Sequence, residues 1–411
     1  CCAYHRSALT RHFKEPVMAS TSSFSEGSSV FGGASNLTQA IQTIFTVYNP
    51  DIIAVHTTCL SETIGDDLTS IISKADEEGL IPEGKKVIYC NTPSYVGSHI
   101  TGYSNQVTAL VKFFSKSTSR RRNVINLING WMEPSDQREI KRLAKLMEIR
   151  TIMFPDMTDS LDTPLTGKYN MYPRGGTTQE DLVATGDSKF SIGIGHDCTE
   201  NACVKLDEKC HVKYDVVDVP IGLKATDRFI MSLSHHAGLD VPDVINDERG
   251  RLLDMIADNS KYLYGKRVAL FGDPDMLVPL VEFLISMDMK PVYVVTGSDS
   301  KYFNEEMARM LKDIPGAKYM SGELADTFRL HQWIKQEGVD MIMGNTYAKY
   351  IARDENIPLI RIGFPIADRP GHNFLPITGY VGATNMVVKI LDAFLDKQDR
   401  TCPEEKVEFQ L

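Results

Sequence analysis

The chain is short of several residue types and patterns that would classify it at once. Of its 411 residues, eight are cysteine and two are tryptophan. So sparse a set of cysteines excludes a disulfide-stapled scaffold and points to a reducing, cytoplasmic setting. No apolar run approaches the roughly 20 residues needed to cross a bilayer, and no signal-peptide pattern is present, so no membrane partner is expected. Basic residues are outnumbered, 44 Lys and Arg against 54 Asp and Glu, for a net charge of −10. That balance speaks against a nucleic-acid partner. The one basic run, Arg120-Arg121-Arg122, reads as a solvated interdomain loop.

Motif absences narrow the field further. There is no Gly-x-x-x-x-Gly-Lys-Ser/Thr phosphate loop, so this chain is not expected to hydrolyse ATP. Gly193-Ile194-Gly195 lacks the third glycine of a dinucleotide fingerprint. No Gly-x-Ser-x-Gly elbow and no His-Glu-x-x-His pair occurs. His196, Cys198, Cys203 and Cys210 resemble a zinc set at first sight, but the intervals are irregular and no Cys-x-x-Cys exists. On a helix Cys203 and Cys210 share a face at i, i+7, as core residues do. His235 and His236 are adjacent, so on a helix their rings diverge, and the pair reads as structural.

What is present is an ordinary globular composition, 42% apolar and 24% charged. The length suggests two to three domains. Apolar, Val- and Ile-rich runs alternate with amphipathic stretches. Strands are predicted at 52–58, 86–90, 124–128, 151–154, 267–271, 291–295, 340–343 and 359–362. Such short continuous runs suit strands buried on both faces of a parallel sheet. Helices are predicted at 136–147, capped by Ser135, and at 384–396, with Val387, Val388, Leu391 and Leu395 on its apolar face. The alternation predicts an α/β fold of doubly wound, Rossmann-like units with mostly parallel sheets. Breaks are placed near 117–122 and 220–226, giving units 1–120, 121–222 and 223–411, the last with helical segments. The stretch 156–187 is expected to wrap the surface.

Three residues stand out as donors. Cys59 ends the run Ile52-Ile53-Ala54-Val55-His56-Thr57-Thr58-Cys59, Ser94 follows a second run in Asn91-Thr92-Pro93-Ser94-Tyr95-Val96-Gly97-Ser98-His99, and Cys1 opens the chain. Thiolates at strand ends and turns suit an iron–sulfur cluster, and a serine alkoxide can bind electron-poor iron. Taken singly, a lone cysteine is more readily a small buried residue. Gly65 and Gly97 fit either a close approach to a bulky ligand or an ordinary turn. Asp254 and Asp258 form an i, i+4 pair, and like charges at that spacing repel unless a hard cation lies between them. The plainer reading is a solvated helix face with Arg251 nearby. Phe31, beside Gly32-Gly33, suits a transient interface if exposed and a core if not. Tyr4 is either packed or placed between a donor and a cluster.

In order along the chain, His5-Arg6-Ser7-Ala8-Leu9-Thr10-Arg11-His12-Phe13-Lys14-Glu15-Pro16, Val30-Phe31-Gly32-Gly33, Thr57–Asp67, Thr92–His99, Gly272-Asp273-Pro274-Asp275 and Arg361-Ile362-Gly363-Phe364-Pro365 resemble the beta subunits of nitrogenase molybdenum–iron proteins. The resemblance runs over essentially the whole chain. It implies three Rossmann-like domains in the component 1 fold. It further implies that Cys1, Cys59 and, in the oxidised form, Ser94 hold an eight-iron, seven-sulfur P-cluster shared with an alpha subunit. The chain would then relay electrons from an ATP-binding iron protein, docking near Phe31, to a molybdenum–iron cofactor in the alpha subunit, where dinitrogen is reduced to ammonia. No residue of this chain would itself be catalytic. Glu15, with Asp254 and Asp258 of the partner beta chain, would bind a divalent cation between the halves of an alpha2–beta2 tetramer. Lys14 departs from the family at a position where only the carbonyl need contribute. Because residue 1 is Cys and lies inside a motif, the chain is expected to be a fragment lacking an N-terminal arm with a further cluster cysteine. A cofactor-assembly scaffold paralogue and a tetrapyrrole reductase subunit are the alternatives. Molybdenum, vanadium and iron-only systems are not separable from this chain.

Overall fold

The computed structural model describes residues 2–13, 18–168 and 170–403. The first part contains α1 (Cys2–Phe13), α2 (Glu26–Phe31), α3 (Ala34–Tyr48), β1 (Ile52–His56), α4 (Cys59–Ile64), α5 (Leu68–Glu77), β2 (Lys86–Cys90) and α6 (His99–Phe114). β1 and β2 pair in parallel, with His56 opposite Cys90 at their carboxyl ends. Ile41, Phe45, Ile53, Leu68, Ile72 and Val87 form the core beneath them.

A second sheet follows: β3 (Arg122–Asn129), α7 (Pro134–Leu146), β4 (Thr151–Phe154), α8 (Gln179–Ala184), β5 (Ser188–Ile194), α9 (His196–Cys210) and β6 (Tyr214–Val217). Its order is β4-β3-β5-β6 and every pairing is parallel. The third comprises α10 (Gly222–Ala237), α11 (Asp243–Leu263), β7 (Arg267–Phe271), α12 (Pro274–Ser286), β8 (Lys290–Thr296), α13 (Lys301–Met310), β9 (Lys318–Ser321), α14 (Thr327–Glu337), β10 (Met341–Gly344), α15 (Ala348–Asp354), β11 (Leu359–Arg361) and α16 (Gly379–Thr401). The order β9-β8-β7-β10-β11, again all parallel, is the 3-2-1-4-5 arrangement of a doubly wound sheet.

The strands form where the apolar runs lie because both faces are covered: Val268, Ala269 and Leu270 of β7, and Met341, Ile342 and Met343 of β10, are completely buried. β5, β6 and β9 were not predicted. β5 reads Ser-Lys-Phe-Ser-Ile-Gly-Ile, too polar at its start and too glycine-bearing to announce a central strand. The other two are four residues each. The helix predicted from Asp136 begins at Pro134 with Glu133 as its cap. Ser135 is therefore not the cap but a buried residue of the first turn. α16 is longer than predicted, and Val388 is exposed where the apolar face was expected. Its buried side is carried by Tyr380, Ala383, Met386, Val387, Ile390 and Leu391.

One large core joins the second and third sheets. Ile140 and Leu143 of α7, Phe229 of α10, Leu252 of α11, Leu284 of α12 and Ile390 of α16 belong to it. Each such side chain contributes about 1.5–3 kcal/mol on burial. This packing sets the carboxyl edges of the sheets around a common junction. There Ser98 and Ser298 pair at 2.7 Å, and His99 meets Asp273 at 3.0 Å.

Candidate functional site

In an open parallel sheet, ligands bind outside the carboxyl ends of the strands. β1 and β2 are neighbours in register, so the segments that leave them emerge side by side. Cys59 lies three residues beyond the end of β1, and Ser94 four beyond the end of β2. The two segments are stitched together at their roots. Thr92 donates its amide to Thr57 Oγ1 at 2.7 Å and its hydroxyl to the Thr57 carbonyl at 2.9 Å. Asn91 donates to Glu62 Oε1 at 2.7 Å, tying the second segment to α4. Thr58 donates its amide to Ser61 Oγ at 2.8 Å, which caps α4 and sets Cys59 as its first residue.

Cys59 and Ser94 are both exposed on this edge. Cys90, at the end of β2, contrasts with Cys59. Its thiol is buried, donates to Gln106 Oε1 at 3.2 Å, and is pushed up by burial to about 11. It stays protonated and inert, whereas the Cys59 sulfur is open to an incoming ligand. Beside the start of α4 lies a cavity of about 260 Å³, lined among others by Phe24, His56, Thr58, Leu60 and Asp66. Gly65 and Gly97 carry φ of +82° and +67°. A Cβ on Gly97 would lie 2.2 Å from Thr101 Oγ1. The turns themselves therefore require glycine at both positions.

The remaining predicted residues are distributed as follows. Cys1 and Glu15 lie outside the described residues. Phe31 is 91% exposed at the end of α2, which excludes a core role for it in this chain. Tyr4 is exposed as well, its hydroxyl paired with that of Tyr347. Asp254 and Asp258 are exposed one turn apart on α11. Cys198, Cys203 and Cys210 are buried on α9, and burial pushes the Cys203 thiol up to about 12. His196 stands apart from them, stacked on Tyr302 at 3.8 Å. A second cavity, about 290 Å³, lies over that stack. His196 lines it, but none of the predicted cluster or cation ligands does, and Arg228 is paired there with Asp218 and Glu282.

Sequence reading missed the polar centre of the junction. Asp275, in the first turn of α12, accepts the amides of Asp197 and Cys198 at 2.9 and 3.0 Å, which caps α9 from another sheet. Burial, reinforced by the Asp197 charge, pushes Asp275 up to about 7 against those amide bonds. Asp136 does the same for the amides of Ile377 and Thr378 at 2.7 and 3.1 Å, and burial raises it to about 6. Burial works to lower the pKa of His99, but the Asp273 carboxylate overcomes it and the net shift is upward. His12, Glu133 and His372 form a further cluster nearby. The segment Gly272-Asp273-Pro274-Asp275 was the one available signal, since it follows a strand and opens a helix.

Residues 1–395 match the family model described as nitrogenase component 1 type oxidoreductase, and the chain belongs to that family. It is 52% identical to the nitrogenase molybdenum-iron protein beta chain of Clostridium pasteurianum, over 99% of this chain and 89% of that relative. It is 39% identical to the corresponding beta chain of Bradyrhizobium diazoefficiens, over 97% and 79%. A solved structure described as nitrogenase Cp1 at pH 6.5 superposes with a TM-score of 0.98 at 52% identity, covering all of this chain and 90% of that one. A chain described as nitrogenase Cp1 at pH 5 shares the fold alone, with a TM-score of 0.67 at 16% identity. The expected α/β component 1 fold and the expected family therefore both hold, and the chain is of the oxidoreductase type.

Proposed function

We propose that this chain works as the beta subunit of a nitrogenase molybdenum–iron protein, holding its share of an eight-iron, seven-sulfur cluster at the contact with an alpha subunit. The carrying observation is the edge of the β1–β2 pair, where the Thr57–Thr92 hydrogen bonds hold the Cys59 and Ser94 segments side by side. The donor set fits the group: an exposed sulfur, an exposed hydroxyl and an open edge, with the nearby buried thiol of Cys90 kept protonated. Cys59, Ser94 and, upstream of α1, Cys1 would be the ligands. When bound, such a cluster supplies one-electron storage and transfer. The chain's own residues orient the donors, exclude solvent beneath them and shape the partner contact.

The relatives described above carry the beta-chain name, which favours this reading over a scaffold paralogue or a tetrapyrrole reductase. In the same reading the chain assembles with an alpha subunit and a second beta subunit in the cytoplasm. The iron protein docks near Phe31, and the molybdenum–iron cofactor belongs to the alpha partner. Glu15 with Asp254 and Asp258 of the opposite beta chain holds a divalent cation. The units 1–120, 121–222 and 223–411 serve as cluster, middle and carboxyl-terminal domains. No helix among the described residues is long and apolar enough to cross a membrane.

The test is the chain co-produced with its alpha partner, with and without Cys59→Ala. Iron content and electron paramagnetic resonance are measured in dithionite-reduced and oxidised samples. An eight-iron signal that collapses in the variant supports the reading. A four-iron cluster, or iron indifferent to the substitution, sinks it.

A further inference from the structure

Helix α1 is mostly exposed along its length, and its last two residues are not. His12 is completely buried and Phe13 nearly so, while His5, Arg6 and Ser7 are exposed. The His12 ring ties three chain segments together. Its Nδ1 accepts the backbone amide of Ile366 at 2.9 Å. A backbone amide can only donate, so the proton of the neutral ring lies on Nε2. Nε2–H then donates to Glu133 Oε1 at 2.6 Å, on the residue that caps α7. Phe364 and Phe13 meet the ring edge-on at 5.0 and 4.6 Å. Glu133 Oε2 is buried with no hydrogen-bond partner, so the contact with His12 is carried by Oε1 alone.

A metal is the other reading of this cluster. His12 Nε2, Glu133 Oε1 and His372 Nε2 lie 2.6, 3.5 and 3.8 Å apart. His372 would suit it, since its Nδ1 faces the Arg369 carbonyl at 3.0 Å. His12 does not. A ligating histidine donates its other ring N–H, and here the other nitrogen faces a donor. The geometry calls for a proton on His12 Nε2.

We propose that His12 is a positioning residue that fixes the tilt of α1 and, through it, the placement of Cys1. This rests on the reading of Cys1 as a cluster ligand. From the first turn of α1 to His12 the helix spans about 15 Å at ~1.5 Å per residue. A tilt of about 10° around the last turn displaces the far end by roughly 2–3 Å over that length. Ligand distances at a metal tolerate only about 0.2 Å. His12 and Phe13 are thus the buried anchor of α1 among its described residues.

The experiment uses the complex with the alpha partner and five forms: wild type, Cys59→Ala, His12→Ala, His12→Gln and Glu133→Ala. Four quantities are read: total metal content, the oxidised-state paramagnetic spectrum, the cluster reduction potential, and the rate of iron release to a chelator. His12→Ala is expected to shift the spectrum and potential and to speed iron release relative to wild type. Glu133→Ala should move the same readouts in the same direction without a change in the sequence of α1, and it decides the question if His12→Ala does not assemble. His12→Gln, which keeps a donor at the Nε2 position, should recover much of the wild-type spectrum. Wild-type spectrum, potential and release rate in both His12→Ala and Glu133→Ala overturn the proposal. So does a stoichiometric extra metal lost in those variants with the cluster unchanged. If Cys59→Ala leaves the iron unaltered, the cluster reading itself fails; if it removes the iron while the His12 and Glu133 variants change nothing, only the clamp fails.

Discussion

Asp275 offers a quantitative test of how the junction is built. It is buried, and its two hydrogen bonds to the first amides of α9 do not offset the loss of water. Its pKa stands at about 7, against an ordinary 3.8. The folded state thus favours the protonated acid. The stabilisation is complete below about pH 3.8 and declines as pH rises through 7, where it levels off. The separation of the two values corresponds to about 4 kcal/mol in all, of which about 2 kcal/mol is lost between about pH 5.5 and 8.5. Asp275→Asn removes that dependence. Its single carbonyl oxygen can take one amide well, and its NH₂ group faces the second donor, a pH-independent cost of about 1–3 kcal/mol. The assay is amide hydrogen exchange across residues 196–203, corrected for the intrinsic rate at each pH. Wild-type protection should fall about 30-fold more than that of the variant over this range, as ~2 kcal/mol requires. Equal falls in the two proteins would show that Asp275 does not titrate there, and the argument from burial would be wrong.

Arg142 clamps Glu139 of its own helix and Glu248 of α11, with bonds of 2.7–2.8 Å. Both carboxylates are largely buried while the guanidinium is partly exposed, so Arg142→Ala should cost about 1–3 kcal/mol in a denaturation midpoint. Asp368 is held down to about 2, chiefly by the hydrogen bonds from Arg361. Its contribution is present above about pH 4 and is lost as pH falls toward 2; Asp368→Asn should flatten that acid limb by no more than about 1 kcal/mol after screening. Phe31→Ala should leave stability within about 0.5 kcal/mol, because the ring is exposed, yet weaken iron-protein-dependent turnover; unchanged turnover and donor affinity would remove Phe31 from the docking surface. Asp254→Asn with Asp258→Asn should lower the divalent metal content of the assembled tetramer without altering cluster iron. Equal metal in the variant and wild type would leave the pair as a solvated helix face.

Much of the architecture was legible because it depends on local pattern. Val- and Ile-rich runs at 86–90, 151–154 and 267–271 became β2, β4 and β7 with those bounds. β5 was hidden because its place at the centre of a sheet is secured by β3 and β6 on either side, not by its own composition. Ser135 looked like a cap by residue type, but Pro134 already satisfies the first helical position and Glu133 holds the cap. Among the donors, chain order alone made Cys59 and Ser94 candidates, and their motifs carried the family. That they leave one sheet edge together depends on the register of β1 against β2, a pairing made across the 29 residues of chain between them.

The sequence by itself determined the α/β class, the parallel sheets, the family and the chemical types of the donors, because each of these resides in periodicity or in contiguous motifs. Tertiary structure alone decided which acids are pushed toward neutrality, which thiol stays protonated, and which histidine holds α1. His12 and Ile366 are separated by 354 positions, and Asp136 and Thr378 by 242. Desolvation and hydrogen bonding act over a few ångströms of space, and nothing in the order of residues states which distant groups will meet.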